Sequence, residues 1–231
     1  QLEGMRKDFV ANVSHELKTP LTVLQGYLEI MQGMEDDDSP NQKPLLLMQQ
    51  QTSRMQSMVE QLLALSRIED AIDVDLSKMV NMQAMMEVLK EEAVALAGSE
   101  YTLEFNCEPG LNTHGNELQL RSACSNLISN AIRYTAPGGV ISVTWRSVAT
   151  GALFSVKDTG VGIAPQHINR LTERFYRVDN ARSSKTGGTG LGLAIAKHAL
   201  SHHHSELNVT SEYGKGSTFS FIIPTHLLER Q

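Results

Sequence analysis

The chain has 231 residues, a hydrophobic content of 41% and a formal net charge of −6 at pH 7. This length allows two domains with separate cores, and the acidic balance argues against a primary role on nucleic acid or anionic lipid. No run of about 18 apolar residues occurs, so neither a membrane-spanning helix nor membrane contact is predicted. The N-terminus lacks the pattern of a signal peptide, and because it starts at Gln1 rather than Met we expect a fragment of a longer chain. Cys107 and Cys124 can pair, but two thiols without a dense framework favour reduced residues.

The first part of the chain predicts two long helices. One runs from Leu2 to about Met34 and the other from near Pro44 to near Asp70, with the acidic break of residues 35–41 between them. Apolar residues recur at heptad spacing in both helices, at Leu17, Leu21, Leu24, Leu28 and Met31, and at Met48, Met55, Met58, Leu62 and Leu65. A two-helix hairpin cannot bury such a seam alone, so we predict a homodimer built on a four-helix bundle.

After a linker at residues 71–78 the pattern changes to mixed helices and strands. Helices are predicted over Met82–Ala97, over Glu117–Ile132 and from near Leu191. Strands are predicted over Tyr101–Phe105, Val140–Arg146 and Ala152–Lys157, with a final hairpin of Leu207–Thr210 and Thr218–Ile223. Helices and antiparallel strands in this order predict an α/β sandwich, a sheet with helices on one face. The overall fold class is therefore α+β.

A histidine in the first helix is the first candidate for chemistry. At about 100° per residue, His15 falls about 160° from Leu17 on the seam, so it should point to solvent, where another domain can reach it. A lone exposed histidine is otherwise ordinary helix surface. Its neighbours favour function, because Glu16 can orient the imidazole or take its proton and Thr19, one turn away, can hold a water. Pro20 should bend the helix just past this position.

Two glycine-rich segments can approach a nucleotide closely. Asp158 follows a predicted strand and can accept from an exocyclic adenine amine, while Gly160 and Gly162 let the base come close. The second segment precedes a predicted helix, so its amides and the helix N-terminus can face phosphate oxygens. It lacks the lysine of a P-loop and the preceding strand of a dinucleotide fold. Its candidate residues are Gly188, Thr189, Gly190, Leu191 and Gly192.

A predicted helix adds polar side chains to these segments. Asn126 and Asn130 are one turn apart on one face, and the amide oxygen of Asn130 suits a hard Mg²⁺ ion. Arg133 can contact phosphate and Tyr134 can cover the base. Helical asparagines can equally be polar surface or buried hydrogen-bond partners, but their place beside both glycine segments favours a ligand role.

The stretch between the glycine segments can act as a lid. Arg174 and Arg177 are followed by the polar residues 180–186, an arrangement that suits a mobile lid whose arginines meet the γ-phosphate. The alternative is an ordinary surface loop.

These segments, in this order, resemble the transmitter region of bacterial sensor histidine kinases. The matching stretches are residues 15–20 for the H box, 126–135 for the N box, 158–162 and 188–193 for the two glycine boxes, and 175–177 for the F box. The resemblance covers nearly the whole chain, and the five motifs together are highly specific. Within the family, Leu21–Tyr27 and Leu171–Asp179 are similar to the phosphate-regulon sensor kinases.

The resemblance implies a dimerisation and histidine-phosphotransfer hairpin in residues 1–72 and a Bergerat-type ATP-binding domain in residues 79–231. It implies ATP and Mg²⁺ as cofactors and autophosphorylation of His15. The phosphoryl group would then pass to an aspartate of a response-regulator receiver domain, that of the phosphate regulon, and Thr19 would support dephosphorylation of that regulator. The fragment would be the cytoplasmic portion of an inner-membrane sensor.

The run His202-His203-His204 departs from the His-Gly-Gly turn that is usual in this family. Three adjacent histidines can ligate a metal, but consecutive residues at a helix end point in different directions. Two other functions are open: a silent dimer that relays conformation, which needs a broken site, and a chaperone- or topoisomerase-like ATPase, which leaves the histidine hairpin unexplained.

Overall fold

The computed structural model describes residues 17–18, 21–34, 39–71, 73–178 and 188–230. The predicted site residues His15, Glu16 and Thr19 lie outside the described residues, as does the predicted lid at 180–186. Within the described ranges, no helix combines the length and apolar character that a membrane span requires.

The N-terminal part is a hairpin of α1, residues 21–34, and α2, Gln42–Asp70. Near the loop, Gln42 Nε2 donates to the carbonyl of Gln32 over 3.4 Å. Towards the other end, Lys18 Nζ lies 3.6 Å from Glu60 Oε1. The helices therefore run antiparallel, as the sequence predicts.

One hairpin covers only part of the predicted heptad seam. Leu21 and Leu28 are buried inside the hairpin, at 4% and 8% exposure, whereas Leu24 and Met31 are more than half exposed. On α2 the buried positions are Leu45, Thr52, Val59, Leu65 and Ile68, while the predicted seam residues Met48 and Met55 are exposed. The part of the predicted seam that stays exposed in one chain is the part that a second copy would cover in the predicted four-helix bundle.

The C-terminal part is built on a five-stranded sheet in the order β2-β4-β5-β7-β6. Its strands are β2 (Thr102–Cys107), β4 (Val140–Val148), β5 (Gly151–Asp158), β6 (Asn208–Glu212) and β7 (Gly216–Pro224). A small second sheet contains β1 (Met79–Val80), β3 (Leu111–His114) and β8 (Leu228–Arg230), which the sequence did not predict. The helices are α3 (Met82–Ala97), α4 (Glu117–Tyr134), α5 (Pro165–Ile168) and α6 (Gly192–His202), and Thr225–Leu227 form a 3-10 turn.

One strand pair differs from the antiparallel prediction. β2 and β4 are parallel, with Thr102 opposite Val140, whereas the other pairs of the large sheet are antiparallel. The connection from β2 to β4 contains α4. This helical crossover carries the chain back to the end of the sheet where β2 begins, so β4 runs in the same direction as β2. The predicted C-terminal hairpin is confirmed by the β6–β7 pairing.

Helices α3, α4 and α6 pack against one face of this sheet, which confirms the α/β sandwich. Alternate strand residues such as Ile141, Val143 and Trp145 are fully buried, and the Trp145 indole donates to the carbonyl of Leu111. Asn116 caps α4 by accepting from the Gln119 N–H over 3.1 Å. A closely packed core of this kind holds the ends of α4 and α6 in fixed positions.

Helix α6 ends in the histidine run, where the chain turns sharply. Ser205 N–H donates to the carbonyl of Leu200 and His204 N–H donates to that of Ser201, the two hydrogen bonds of a Schellman motif. His204 has a φ of +54°, in the left-handed region that glycine adopts more easily. His204 therefore occupies the left-handed position of this turn, where glycine would be less strained.

His203 is a fully buried link between α6 and α4. Its Nε2 accepts from the Asn116 N–H over 3.0 Å, so Nδ1 carries the proton and donates to the carbonyl of Ala199 over 2.7 Å. Burial lowers the pKa of His203, which keeps the ring neutral. Both nitrogens are used inside the protein, and the described residues hold no group of three or more side chains suited to a metal ion.

Candidate nucleotide-binding site

Asp158 stands at the end of β5 with only 5% of its surface exposed. Its Oδ1 accepts from the N–H groups of Gly160 (2.8 Å) and Ser217 (3.2 Å), which orient the carboxylate. Burial raises the pKa of Asp158, against the opposite effect of these two hydrogen bonds. The segment is tied to α4, because Val161 N–H donates to the carbonyl of Tyr134 over 3.2 Å. Asp158 lines an open depression together with residues of β6 and of the β6–β7 turn, and an oriented, buried carboxylate there can select a hydrogen-bond donor such as an exocyclic amine.

The C-terminal half of α4 also reaches the second glycine segment. Asn126 Oδ1 lies so close to Gly192 that a Cβ there would overlap it, and Arg133 Nη1 lies 3.2 Å from where a Cβ of Gly188 would stand. Asn130 is half-buried one turn after Asn126. One helix therefore contacts both glycine segments.

The F box and the second glycine segment form a single unit. Phe175 N–H donates to the carbonyl of Gly190 over 2.9 Å. Both residues have left-handed φ angles, +62° and +76°. A Cβ on Gly190 would lie 2.8 Å from the Phe175 backbone, so only glycine allows this approach.

A cluster of arginines lies near the same loop. Burial and the positive charge of Arg54 lower the pKa of Arg177, and Arg133 adds to this effect. An anion placed among these side chains would relieve the repulsion between them. Gly192 begins α6, so the unpaired N–H groups and positive dipole end of that helix lie at the same place. Together these features favour a phosphate group.

Family comparisons agree with this geometry. The family described as histidine kinase-, DNA gyrase B- and HSP90-like ATPase matches residues 115–227. The His Kinase A (phospho-acceptor) domain matches residues 5–71. The chain belongs to the sensor histidine kinase family. The resemblance that the sequence motifs indicated is thereby confirmed.

Similar sensor histidine kinases share most of this chain. The phosphate regulon sensor protein PhoR of Pseudomonas aeruginosa is 49% identical over 222 residues, which are 95% of this chain and 50% of that protein. The protein of the same name from Haemophilus influenzae is 48% identical over 223 residues, 96% of this chain and 52% of its own. The chain therefore spans about half the length of these curated relatives.

A solved histidine kinase shares the fold. The crystal structure of full-length ShkA in complex with AMPPNP superimposes with a TM-score of 0.77 at 24% identity, covering 97% of this chain and 47% of that one. At this identity the comparison supports the fold of this histidine kinase region alone.

Two of the predicted nucleotide-contacting side chains touch the hairpin of this kinase. The guanidinium of Arg174 pairs with the carboxylate of Glu69 on α2, which also lies 3.1 Å from His198 Nε2. The hydroxyl of Thr189 donates to Gln61 Oε1, also on α2. Arg174, the residue before the F box, and Thr189 of the second glycine segment are therefore docked on α2.

No sequence pattern indicated the hairpin residues at this contact. Gln61 and Glu69 are separated from their partners Thr189 and Arg174 by more than a hundred residues, and only folding brings them together. His15, Glu16 and Thr19 lie outside the described part of the chain. Lys18, one of the two H-box residues that the structure describes, pairs with Glu60, which is next to Gln61.

Proposed function

We propose that this chain is the phosphotransferase region of a two-component sensor kinase that transfers the γ-phosphoryl group of ATP to His15. The main observation in support is that three features lie around α4 and α6. They are the oriented carboxylate of Asp158, the arginine cluster around Arg177, and the F box that is hydrogen-bonded to the second glycine segment. The domain boundaries that we propose are residues 1–72 for phosphotransfer and 79–231 for ATP binding. Because the chain spans about half of its curated relatives, the activity of the whole protein is part of the proposal.

The residues divide the chemistry of the proposed reaction between them. Asp158 accepts from the adenine amine, and Arg133 and Arg177 neutralise phosphate charge. Asn130 supplies an amide oxygen to Mg²⁺, which would offset the charge on the phosphates. His15 provides the nucleophilic nitrogen, and Glu16 orients the imidazole or takes its proton.

We further propose that the phosphoryl group passes to an aspartate of a response-regulator receiver domain. The relatives named as phosphate regulon sensors favour the phosphate-regulon regulator. Thr19 would position a water for dephosphorylation of that regulator. The supply of ATP places this region on the cytoplasmic side of a proposed inner-membrane sensor.

A homodimer through the hairpin is supported by the apolar surface that one chain leaves exposed. The large apolar side chains in question are Leu24, Tyr27, Ile30, Met31, Leu46, Leu47, Met48 and Met55. Pairing two copies would cover this surface. Size-exclusion chromatography with light scattering should give the mass of a dimer at micromolar concentration, and a monomer would contradict the proposal.

Labelling with γ-labelled ATP tests the central proposal. The wild-type chain should acquire an acid-labile label, as a phosphohistidine does. The variant His15→Ala should bind ATP normally and acquire no label, whereas the control His226→Ala, which changes a histidine near the C-terminus, should label like the wild type. A silent relay would neither bind ATP nor acquire label. A chaperone- or topoisomerase-like ATPase would hydrolyse ATP and release phosphate, and the chain would retain no label.

A further inference from the structure

The side chain of Tyr176, in the F box, is held by residues in α5 and in the turn after it. Its hydroxyl lies 2.6 Å from His167 Nδ1, and the guanidinium of Arg170 stacks over its ring with Cζ 4.2 Å from the centroid. Arg170 is held in turn by Glu173, with 3.1 Å between Nη2 and Oε2. A short helix and the turn after it therefore fix one side chain from two directions.

The residue before Tyr176 has an unfavourable backbone conformation. Phe175 precedes Tyr176 and has a left-handed φ of +62°, which is strained for an aromatic residue. Contacts on both sides hold it: the hydrogen bond to Gly190 and the fixed side chain of Tyr176. Arg177 follows at once and lies in the arginine cluster with Arg133. If Tyr176 were released, the strained turn could relax and carry Arg177 away from the cluster.

We propose that His167 and Tyr176 are positioning residues for phosphoryl transfer, whose hydrogen bond holds the F box so that Arg177 faces the γ-phosphate of ATP. This inference rests on the proposed kinase function. Both residues act through Arg177 and not by contact with the nucleotide. ADP lacks the γ-phosphate, so the loss of this hydrogen bond should lower ATP affinity and the labelling rate and leave ADP affinity unchanged.

The test uses the full 231-residue chain and small changes to the pair. Tyr176→Phe removes the hydroxyl and keeps the ring under Arg170. His167→Ala removes the partner, and His167→Asn restores a polar group near the position of Nδ1. Tyr101→Phe is the matched control, because it removes a hydroxyl that donates to the Thr135 carbonyl over 3.4 Å. Each variant is measured for ATP and ADP affinity with Mg²⁺, for the labelling rate at saturating ATP, and for melting temperature.

We expect Tyr176→Phe and His167→Ala each to lower ATP affinity and labelling rate by about three- to tenfold, the effect of one hydrogen bond. ADP affinity should be unchanged, and melting temperature should fall no more than in the Tyr101→Phe control. The double variant should be no worse than either single one, and His167→Asn should recover most of the rate.

Unchanged ATP affinity and rate in both single variants would overturn the inference. So would equal losses of ATP and ADP affinity with a lower melting temperature, because these indicate a structural role only. A wild-type chain that binds ATP without acquiring an acid-labile label would refute the proposed function instead. In that case the comparison of ATP with ADP affinity would still decide the role of the His167–Tyr176 pair.

Discussion

Replacing Gly190 by alanine should uncouple the F box from the second glycine segment. The new Cβ would lie 2.8 Å from the Phe175 backbone, which cannot rotate away as a side chain can. The two segments must separate by roughly 0.6 Å to reach ordinary contact, which stretches the hydrogen bond between them to about 3.5 Å and breaks it. A displacement on this scale near the transferred group should lower the labelling rate by about 10- to 100-fold.

The variant Gly98→Ala separates this effect from backbone strain. Gly98 has a φ of +63° after α3, and a Cβ there meets nothing within 4 Å. Gly98→Ala should cost about 1–3 kcal/mol in unfolding free energy, measured by urea denaturation, because a φ of +63° with a ψ of −152° suits glycine almost alone. Gly190→Ala should cost the strain of its positive φ and, in addition, about 1 kcal/mol for the broken hydrogen bond to Phe175. Only Gly190→Ala should also lose ATP affinity and labelling. If it labels as fast as Gly98→Ala, the coupling between F box and glycine segment does not support the reaction.

Three further changes test other parts of the site. Because burial raises the pKa of Asp158, this carboxylate should take up a proton at a higher pH than an ordinary aspartate as the pH is lowered, which should weaken ATP binding while favouring the folded state; Asp158→Asn should bind ATP poorly at every pH without a lower melting temperature. Titration calorimetry would contradict the assignment if ATP affinity fell only at the pH where an ordinary aspartate takes up its proton. Glu69→Gln breaks the ion pair that holds Arg174 on the hairpin and leaves Arg174 available to phosphate, so it should raise ATP affinity, by at most about fivefold since both side chains are partly exposed; Glu92→Gln, which breaks a pair between α3 and α4, should not. His204→Gly relieves the left-handed residue and should stabilise the protein by about 0.5–1 kcal/mol; calorimetry showing no gain would mean that the turn is unstrained.

Local patterns predicted most of the secondary structure and the composition of the site. Heptad spacing identified the hairpin, and alternation in β4, β5 and β7 identified the sandwich, because burial on one face repeats with the period of the element. The predicted helices over Met82–Ala97 and Glu117–Ile132 match α3 and α4 to within two residues. The glycine segments and Asp158 were singled out as candidate site residues because each pattern is local in the chain.

Pairings between distant residues required the tertiary structure. The parallel β2–β4 pair depends on where α4 packs, and the two apolar stripes of α1 depend on which surface α2 covers. Likewise, the tie between His167 and Tyr176 depends on how the F box folds back against α5.

The sequence by itself determined which elements form and which residue types can bind a nucleotide, since propensity, periodicity and side-chain chemistry are properties of short segments. Only the tertiary structure decided that Thr189 and Arg174 dock on α2 and that Phe175 turns through a strained conformation against Gly190. Such contacts join residues far apart in the chain, and their geometry comes from the packing of whole helices and strands, which no local pattern encodes.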